Sequence, residues 1–288
     1  MRRRFANRAL PMLAAALALA APPIRAGAAG DAPAAAVADS SPRFGTLVAL
    51  VSAAPLVLTV EVRKAIALDP ARARDVGAGM MRAYVVARPL AALKGALPAA
   101  PLLSFLVDVP QGVKGRLPPL AKQHLLLFAR PVAGNPAMLQ LVAPTAGLET
   151  AAPLEQRVGA VLAALAADDA PPRVTGVSEA IYVPGTLSGE GQAQFFLVTA
   201  SHGPAAITVT HRPGQPAGWS VSFSEVVDAS GRPPAPDTLA TYRLACGLPR
   251  QLPAGVNVSG TAEDRAQAAA DYAQVLADLG PCPSVPGL

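Results

Sequence analysis

Two cysteines, 36 residues apart and each placed where a helix runs out, constrain this chain more than any other feature. Asp237 reads as an N-cap, its carboxylate accepting the free N–H groups of a first helical turn. Leu239, Tyr242 and Cys246 then share one face, and Gly247 followed by Pro249 stops the helix. A second helix is expected from Thr261, with Asp264 completing a capping box. Its apolar stripe runs Ala262, Ala266, Ala269, Ala273 and Leu276, and Gly280-Pro281 ends it.

Pairing Cys246 with Cys282 brings the C-terminal ends of these helices together. The connector, residues 247–260, reaches about 46 Å when extended, and the second helix is about 28 Å long. The chain can therefore return to the far end of that helix. Closing such a loop stabilises a fold by on the order of 4 kcal/mol through loop-closure entropy. Two buried free thiols or a metal pair are the alternatives that spacing leaves open, and an oxidising compartment favours the disulfide.

The first residues point to such a compartment. Arg2, Arg3, Arg4 and Arg8 precede an apolar run over residues 10–21, and Ala26-Gly27-Ala28 offers the small residues that signal peptidase accepts. The run is too short to cross a bilayer, which needs about 20 residues. A Sec-type signal peptide over 1–28 is expected, cut after Ala28, with release to the periplasm or the medium. No stable membrane span should follow cleavage. The full chain has 24 basic and 19 acidic residues, but five arginines lie in the signal, so the remaining 260 residues are formally neutral. Nucleic-acid binding then lacks the net positive charge it needs.

With aromatics at 4% the core must be built from Val, Leu and Ala, and 31 prolines favour short segments between stiff loops. Residues 29–42 read as a flexible leader. From 43 to 149 the pattern is β. Leu56, Leu58, Val60 and Val62 alternate with Val57, Thr59, Glu61 and Arg63, and Leu103, Phe105, Val107 and Val109 alternate against Ser104 and Asp108. Residues 46–51, 82–88, 123–130 and 138–142 supply further strand candidates, about six in all, with few helices between them. A small barrel or sandwich fits this layout.

Tyr84-Val85-Val86-Ala87 leading to Leu93-Lys94-Gly95, then Phe105-Leu106-Val107, then the HLLLFA run of residues 124–129, resembles the five-strand OB barrels of netrin-like modules. The resemblance spans residues 44–148 and implies an OB-like β-barrel, here without the cysteines that staple netrin-like domains. The whole chain is also similar to exported bacterial proteins with no assigned activity.

Residues 150–170 read as a connecting amphipathic helix capped by Thr150, its stripe being Leu154, Val158, Val161, Leu162 and Leu165. Asp168-Asp169-Ala170-Pro171-Pro172 marks the boundary to a second domain over 171–288. There residues 174–183 are ambiguous between strand and helix. Ala193, Phe195 and Leu197 alternate with Gln194 and Phe196, Ile207 and Val209 with Thr208 and Thr210, and Trp219, Val221 and Phe223 with Ser220, Ser222 and Ser224. The fold expected is mainly β with α+β character: an N-terminal OB-like barrel, then a small antiparallel sheet covered by C-terminal helices.

Catalytic signatures are sparse. Of three histidines, His124 opens a strand, and His202 and His211 flank another at opposite ends, too far apart to share a metal. No HExxH or His/Cys cluster suggests a metal or cofactor, and no G-x-S-x-G elbow is present. A serine hydrolase would have to assemble in space, for example from Ser188 or Ser201 with His211 and Asp228. Lys114, Arg116, Lys122 and Arg130 gather near a Gly/Pro loop as a possible anionic-lipid or acidic-partner patch. Thr208, Thr210, Ser220, Ser222 and Ser224 form a row of hydroxyls read as the wet face of a sheet. The function expected is an exported, soluble, non-catalytic binding or accessory protein of the cell envelope, with a protein or envelope component as partner. The alternatives are a periplasmic hydrolase built around His202 or His211, and a carrier of a small apolar ligand.

Overall fold

A short apolar helix is the first element. The computed structural model describes residues 42–228 and 230–288, and the signal segment and the expected cut after Ala28 lie outside them. Helix α1 (Phe44–Ala53) occupies the segment expected as a strand at 46–51. Short apolar runs do not distinguish the two states by periodicity. Here the run is apolar all round, so it suits a helix buried on most faces, and Leu47, Val48, Leu50 and Val51 are all in the core. Pro55 stops it, holding Ala54 extended.

The barrel follows: β1 (Leu56–Ala67), β2 (Met80–Lys94), β3 (Leu103–Pro110), β4 (His124–Val132), β5 (Asn135–Leu141) and β6 (Gly147–Glu149). The order β1-β2-β3-β5-β4 closes through a β1–β4 pairing, giving a five-stranded barrel compatible with an OB-like barrel. Strand β6 adds to β4 beside β5. Leu58, Val60 and Val62 with Leu103, Phe105 and Val107 lie in the core as expected, but Val57 and Thr59 are buried too, so the alternation of β1 shows only from Glu61 onward. Leu126, Leu127, Phe128 and Leu139 fill it from the opposite wall.

Helix α2 (Ala152–Ala166) buries Leu154, Val158 and Val161 as its stripe required. Its N-cap is Ala151, not Thr150, and no side chain caps it. The Thr150 N–H donates to His124 O as part of the barrel, which holds Thr150 outside the capping position. Four antiparallel strands come next, β7 (Val174–Pro184), β8 (Gly191–Thr199), β9 (Ala206–His211) and β10 (Gly218–Ser222), in the order β10-β9-β8-β7. The ambiguous stretch 174–183 is thus a strand. Phe195, Ile207, Val209 and Trp219 point to a second core shared with α3 (Leu239–Gly247) and α4 (Ala262–Leu279).

Three local expectations are corrected by this packing. Asp237 sits at φ 57° and does not cap α3; Thr238 does, accepting from Thr241 N–H. The capping box of Thr261 and Asp264 forms as expected, but α4 turns its alanine stripe to solvent. It buries Ala268, Asp271, Tyr272 and Val275 instead. One tyrosine and one valine remove more apolar area from water than a row of methyls, so bulk sets the rotation of the helix. The hydroxyl row is not wet throughout either. Thr208 and Ser220 are buried, because the segment after β10 folds back and Ser220 Oγ donates to Asp228 O.

The close approach of α3 to β7 makes Gly247 and Gly159 opposite cases. A Cβ at Gly247 would stand 2.2 Å from Val174 O, whereas Gly159 faces open space in α2. Gly247→Ala is expected to destabilise the protein by about 1–3 kcal/mol and Gly159→Ala to stabilise it by roughly 0.5–1 kcal/mol, both read from urea midpoints. Tyr272 gives a pH-dependent counterpart. Burial pushes its phenol well above the ordinary range while its O–H donates to Pro249 O at 2.7 Å. The folded chain therefore holds this proton where the unfolded chain releases it, so stability is full below about pH 10 and falls as pH rises above it. Alkaline denaturation followed at the tyrosinate absorbance should show this phenol ionising only with unfolding, and Tyr272→Phe should flatten the fall.

Candidate functional site

An apolar opening lies on the barrel wall, where β3 and β5 meet. Their only registered pair is Ser104 with Met138. The strands then diverge, and the chain after β5 returns to β3 only where Asp108 N–H donates to Pro144 O at 2.8 Å. Between these two ties β3 advances by four residues and the other segment by six. The surplus opens a cleft of about 580 Å³, walled by Phe105, Leu106, Met138, Leu139 and Val142, with Gly287 at the rim against Pro144.

Leading away from the cleft wall, Leu106, Tyr84 and Ile66 stand side by side across β3, β2 and β1. They are 45%, 37% and 46% exposed, and Met138 across the seam is 39% exposed. Each occupies the outward parity of its strand, where polar residues are the rule. One row along, Arg82 and Asp108 close the cleft. Arg82 Nε donates to Oδ1 at 2.7 Å and Nη2 to Oδ2 at 2.8 Å, a bidentate fork. Hydrogen bonding to Asp108 holds the Arg82 guanidinium still more firmly protonated. The charges of these two residues are thus matched to each other.

The second candidate is His211, at the end of β9. Its Nε2 stands 3.0 and 2.9 Å from the two oxygens of Asp271 on α4, and that carboxylate is buried. Gln267 Nε2 donates to Asp271 Oδ1 at 2.8 Å. Tyr182 meets the imidazole edge-on, with centroids 5.8 Å apart. Gly191 makes this possible, since a Cβ there would stand 2.1 Å from the Tyr182 hydroxyl oxygen. Burial, with the nearby charges of Asp271 and Asp264, raises the Tyr182 phenol above its ordinary value.

The anticipated triad is not assembled. The carboxylate beside His211 is Asp271, while the Asp228 carbonyl serves Ser220. No hydroxyl hydrogen-bonds to His211 among the described residues. Ser188 and Ser201 lie exposed in the turns before and after β8, and His202 is exposed at φ 57°. His124 opens β4 opposite Glu61. Among the described residues no three His, Cys, Asp or Glu side chains cluster as a metal site, and no helix is long and apolar enough to cross a membrane. Cys246 and Cys282 are joined, with sulfurs 2.05 Å apart.

Nothing in the sequence marks Asp271, which interrupts no pattern visible in the alanine stripe. On the face actually buried it is the first rung of a polar ladder. Gln274 Nε2 donates to Ala217 O at 3.2 Å, and Asp278 accepts from Trp219 Nε1 at 2.9 Å. Positions 271, 274 and 278 share one side of α4, and all three reach β9, β10 or the turn between them. This ladder docks the helix on the hairpin and gives the His–Asp pair a structural role. Leu106 had a sequence signal: it is the apolar residue at the polar parity of Leu103–Pro110.

No protein-family model matches the chain, and no curated protein matches it. The site must be read from its own geometry.

If the His211–Asp271 pair is structural, removing one partner costs more than neutralising both. His211→Ala strands a buried carboxylate and should cost about 3 kcal/mol in urea unfolding. Asp271→Asn keeps a hydrogen-bonding amide in place and should cost nearer 1 kcal/mol. The double variant should cost less than the sum of the two.

Proposed function

We propose that the protein is an exported, non-catalytic binding protein of the cell envelope, and that its barrel cleft seats an apolar group of its ligand or partner. The observation that carries this reading is the pairing of apolar walls with a satisfied ion pair in the cleft between β3 and β5. Ligand sites are commonly concave, mostly apolar and a few hundred Å³ in volume, with a small number of placed polar groups. Because Arg82 and Asp108 neutralise each other, the cleft favours an uncharged group over an acid or an amine. Export is supported by the arginine-led, Ala-rich N-terminal sequence and by the Cys246–Cys282 bond.

The second sheet is a poorer candidate for strand addition. Its β7 edge is taken by residues 256–258, with Ala180 N–H donating to Val256 O and Val258 N–H to Ala180 O. At its β10 edge the chain after the strand folds back, bringing Gly231 against Gly218. Such covered edges are how sheets avoid pairing with other chains. The hydrolase alternative rests on His211, which has a carboxylate but lacks a nucleophile at hydrogen-bond distance.

The cleft is tested with a neutral apolar dye, N-phenyl-1-naphthylamine, titrated into the purified protein. Saturable fluorescence enhancement is expected, weakened about ten-fold or more by Leu106→Asp or Met138→Asp as apolar contact is lost. Both side chains are already partly exposed, so the variants should keep the parent's unfolding midpoint. Enhancement unchanged in both variants would place the dye elsewhere and remove the support for this site.

A further inference from the structure

The formal neutrality of the chain beyond residue 28 hides a strong polarity. Residues 43–149 carry twelve Lys and Arg against five Asp and Glu, a balance of +7, whereas residues 150–288 carry seven against twelve, a balance of −5. The positive charge of the barrel is not spread evenly. The connections β1–β2 and β3–β4 leave the same end of the barrel, tied by Gln111 N–H to Gly79 O and by Lys122 N–H to Val62 O, both 2.8 Å. On these connections and the adjoining end of β1 lie Lys64, Arg72, Arg74, Lys114, Arg116 and Lys122, all exposed. None of the six takes part in an ion pair among the described residues. The acids nearby are fewer: Asp69 and Asp75 on the β1–β2 connection, Asp108 held by Arg82, and Glu61 held by Arg88 and Arg63.

One apolar side chain stands among these cations. Val113 begins a 3-10 turn (Val113–Gly115) closed by Gly112 N–H donating to Arg116 O, and it is 85% exposed, the most exposed large apolar residue described. Lys114 and Arg116 flank it. Ile66, at the β1 margin of the same end, is also exposed. A folded protein gains nothing in water from an apolar tip ringed by unpaired cations. Against an anionic bilayer both features become favourable: the cations are drawn to the surface potential and the apolar tip enters the headgroup boundary.

We infer that this end of the barrel docks on an anionic lipid surface, with Val113 as the apolar contact and Lys114, Arg116, Arg72, Arg74, Lys64 and Lys122 as the electrostatic ones. The acidic second half is then turned away from the membrane by the same field that attracts the barrel. The inference is independent of what the apolar cleft binds.

The test is sedimentation of the isolated protein with vesicles of phosphatidylglycerol and phosphatidylcholine, against vesicles of phosphatidylcholine alone. Residues 1–28 carry arginines and an apolar run of their own, so the reading is the difference between variant and parent. Binding to the anionic vesicles is expected and should weaken as salt shortens the screening length. Each Lys or Arg lost near the surface should lower the partition coefficient about five-fold, so Lys114→Glu with Arg116→Glu should lower it more than about 25-fold. Val113→Trp should show a blue-shifted emission with anionic vesicles only, readable because the native Trp219 is buried. An unchanged midpoint of thermal unfolding establishes that these loop variants fold. Equal binding to both vesicle types, or charge reversal without loss, would overturn the inference. So would binding fully displaced by soluble polyphosphate with no emission shift at position 113, which would assign the patch to a polyanion and not to a bilayer.

Discussion

The bond between Cys246 and Cys282 fixes the end of α3 to the segment that follows α4, and the two cores depend on what that segment does next. Pro283 lies against Gly45 of α1, so closely that a Cβ there would stand 2.5 Å from the proline ring. Val285 packs on the barrel core, and Gly287 reaches Pro144 at the cleft. A strap anchored by a covalent bond in one half thus crosses to the other half. Without the bond the six residues after Cys282 would have to be ordered by their own contacts, at about 1–2 kcal/mol of backbone entropy each. The bond removes part of that cost in advance by restricting the unfolded chain. Tyr242 of α3 sits in the same seam, half-buried and packed on the barrel core, with burial raising its phenol.

What could be read from the sequence followed from where periodicity is unambiguous. The alternation at the start of Leu103–Pro110, the stripe of Ala152–Ala166 and the capping box at Thr261 each report a local preference that tertiary packing also satisfies. The failures share a cause. Residues 46–51 are apolar without a polar face, so only the space available in the fold decides between helix and strand. The stripe of α4 misleads because periodicity gives an alanine the same weight as Tyr272 or Val275, although a methyl group buries far less area than either. Asp237 and Thr150 are good caps by composition, but the positive φ at Asp237 and the tie of Thr150 N–H to His124 O take both out of the geometry a cap requires.

The candidate sites were legible to different degrees for the same reason. The cysteine pair is a statement about two points on the chain: helix and connector lengths allow them to meet, and the expected oxidising compartment favours the bond. The His211–Asp271 pair joins β9 to α4 across 60 residues and depends on how α4 is rotated, which the alanine stripe gave wrongly. The cleft depends on a mismatch of two residues between the ties that join β3 and the chain after β5, and no alternation pattern records such a mismatch. Its trace in the sequence is indirect: Tyr84, Leu106 and Met138 are each apolar at an outward parity, and their alignment exists only once the register is set.

These placements divide the molecule by chemistry. The second half uses many of its polar residues on itself, although Thr208 Oγ1, Thr210 Oγ1 and Arg243 Nε are buried without a partner. Asp271, Asp278 and Gln274 are committed to docking α4, Ser220 to the returning chain, and Asn257 and Ser259 to the covered edge of β7. The barrel does the opposite. It leaves an apolar row, an open cleft and a set of unpaired cations on its surface. Side chains that serve only folding are normally matched within the fold, because an unmatched group gains nothing from being there. Exposed apolar side chains occur on both halves, Leu187 and Val226 among them, but the open apolar cleft and the six unpaired cations at one end belong to the barrel.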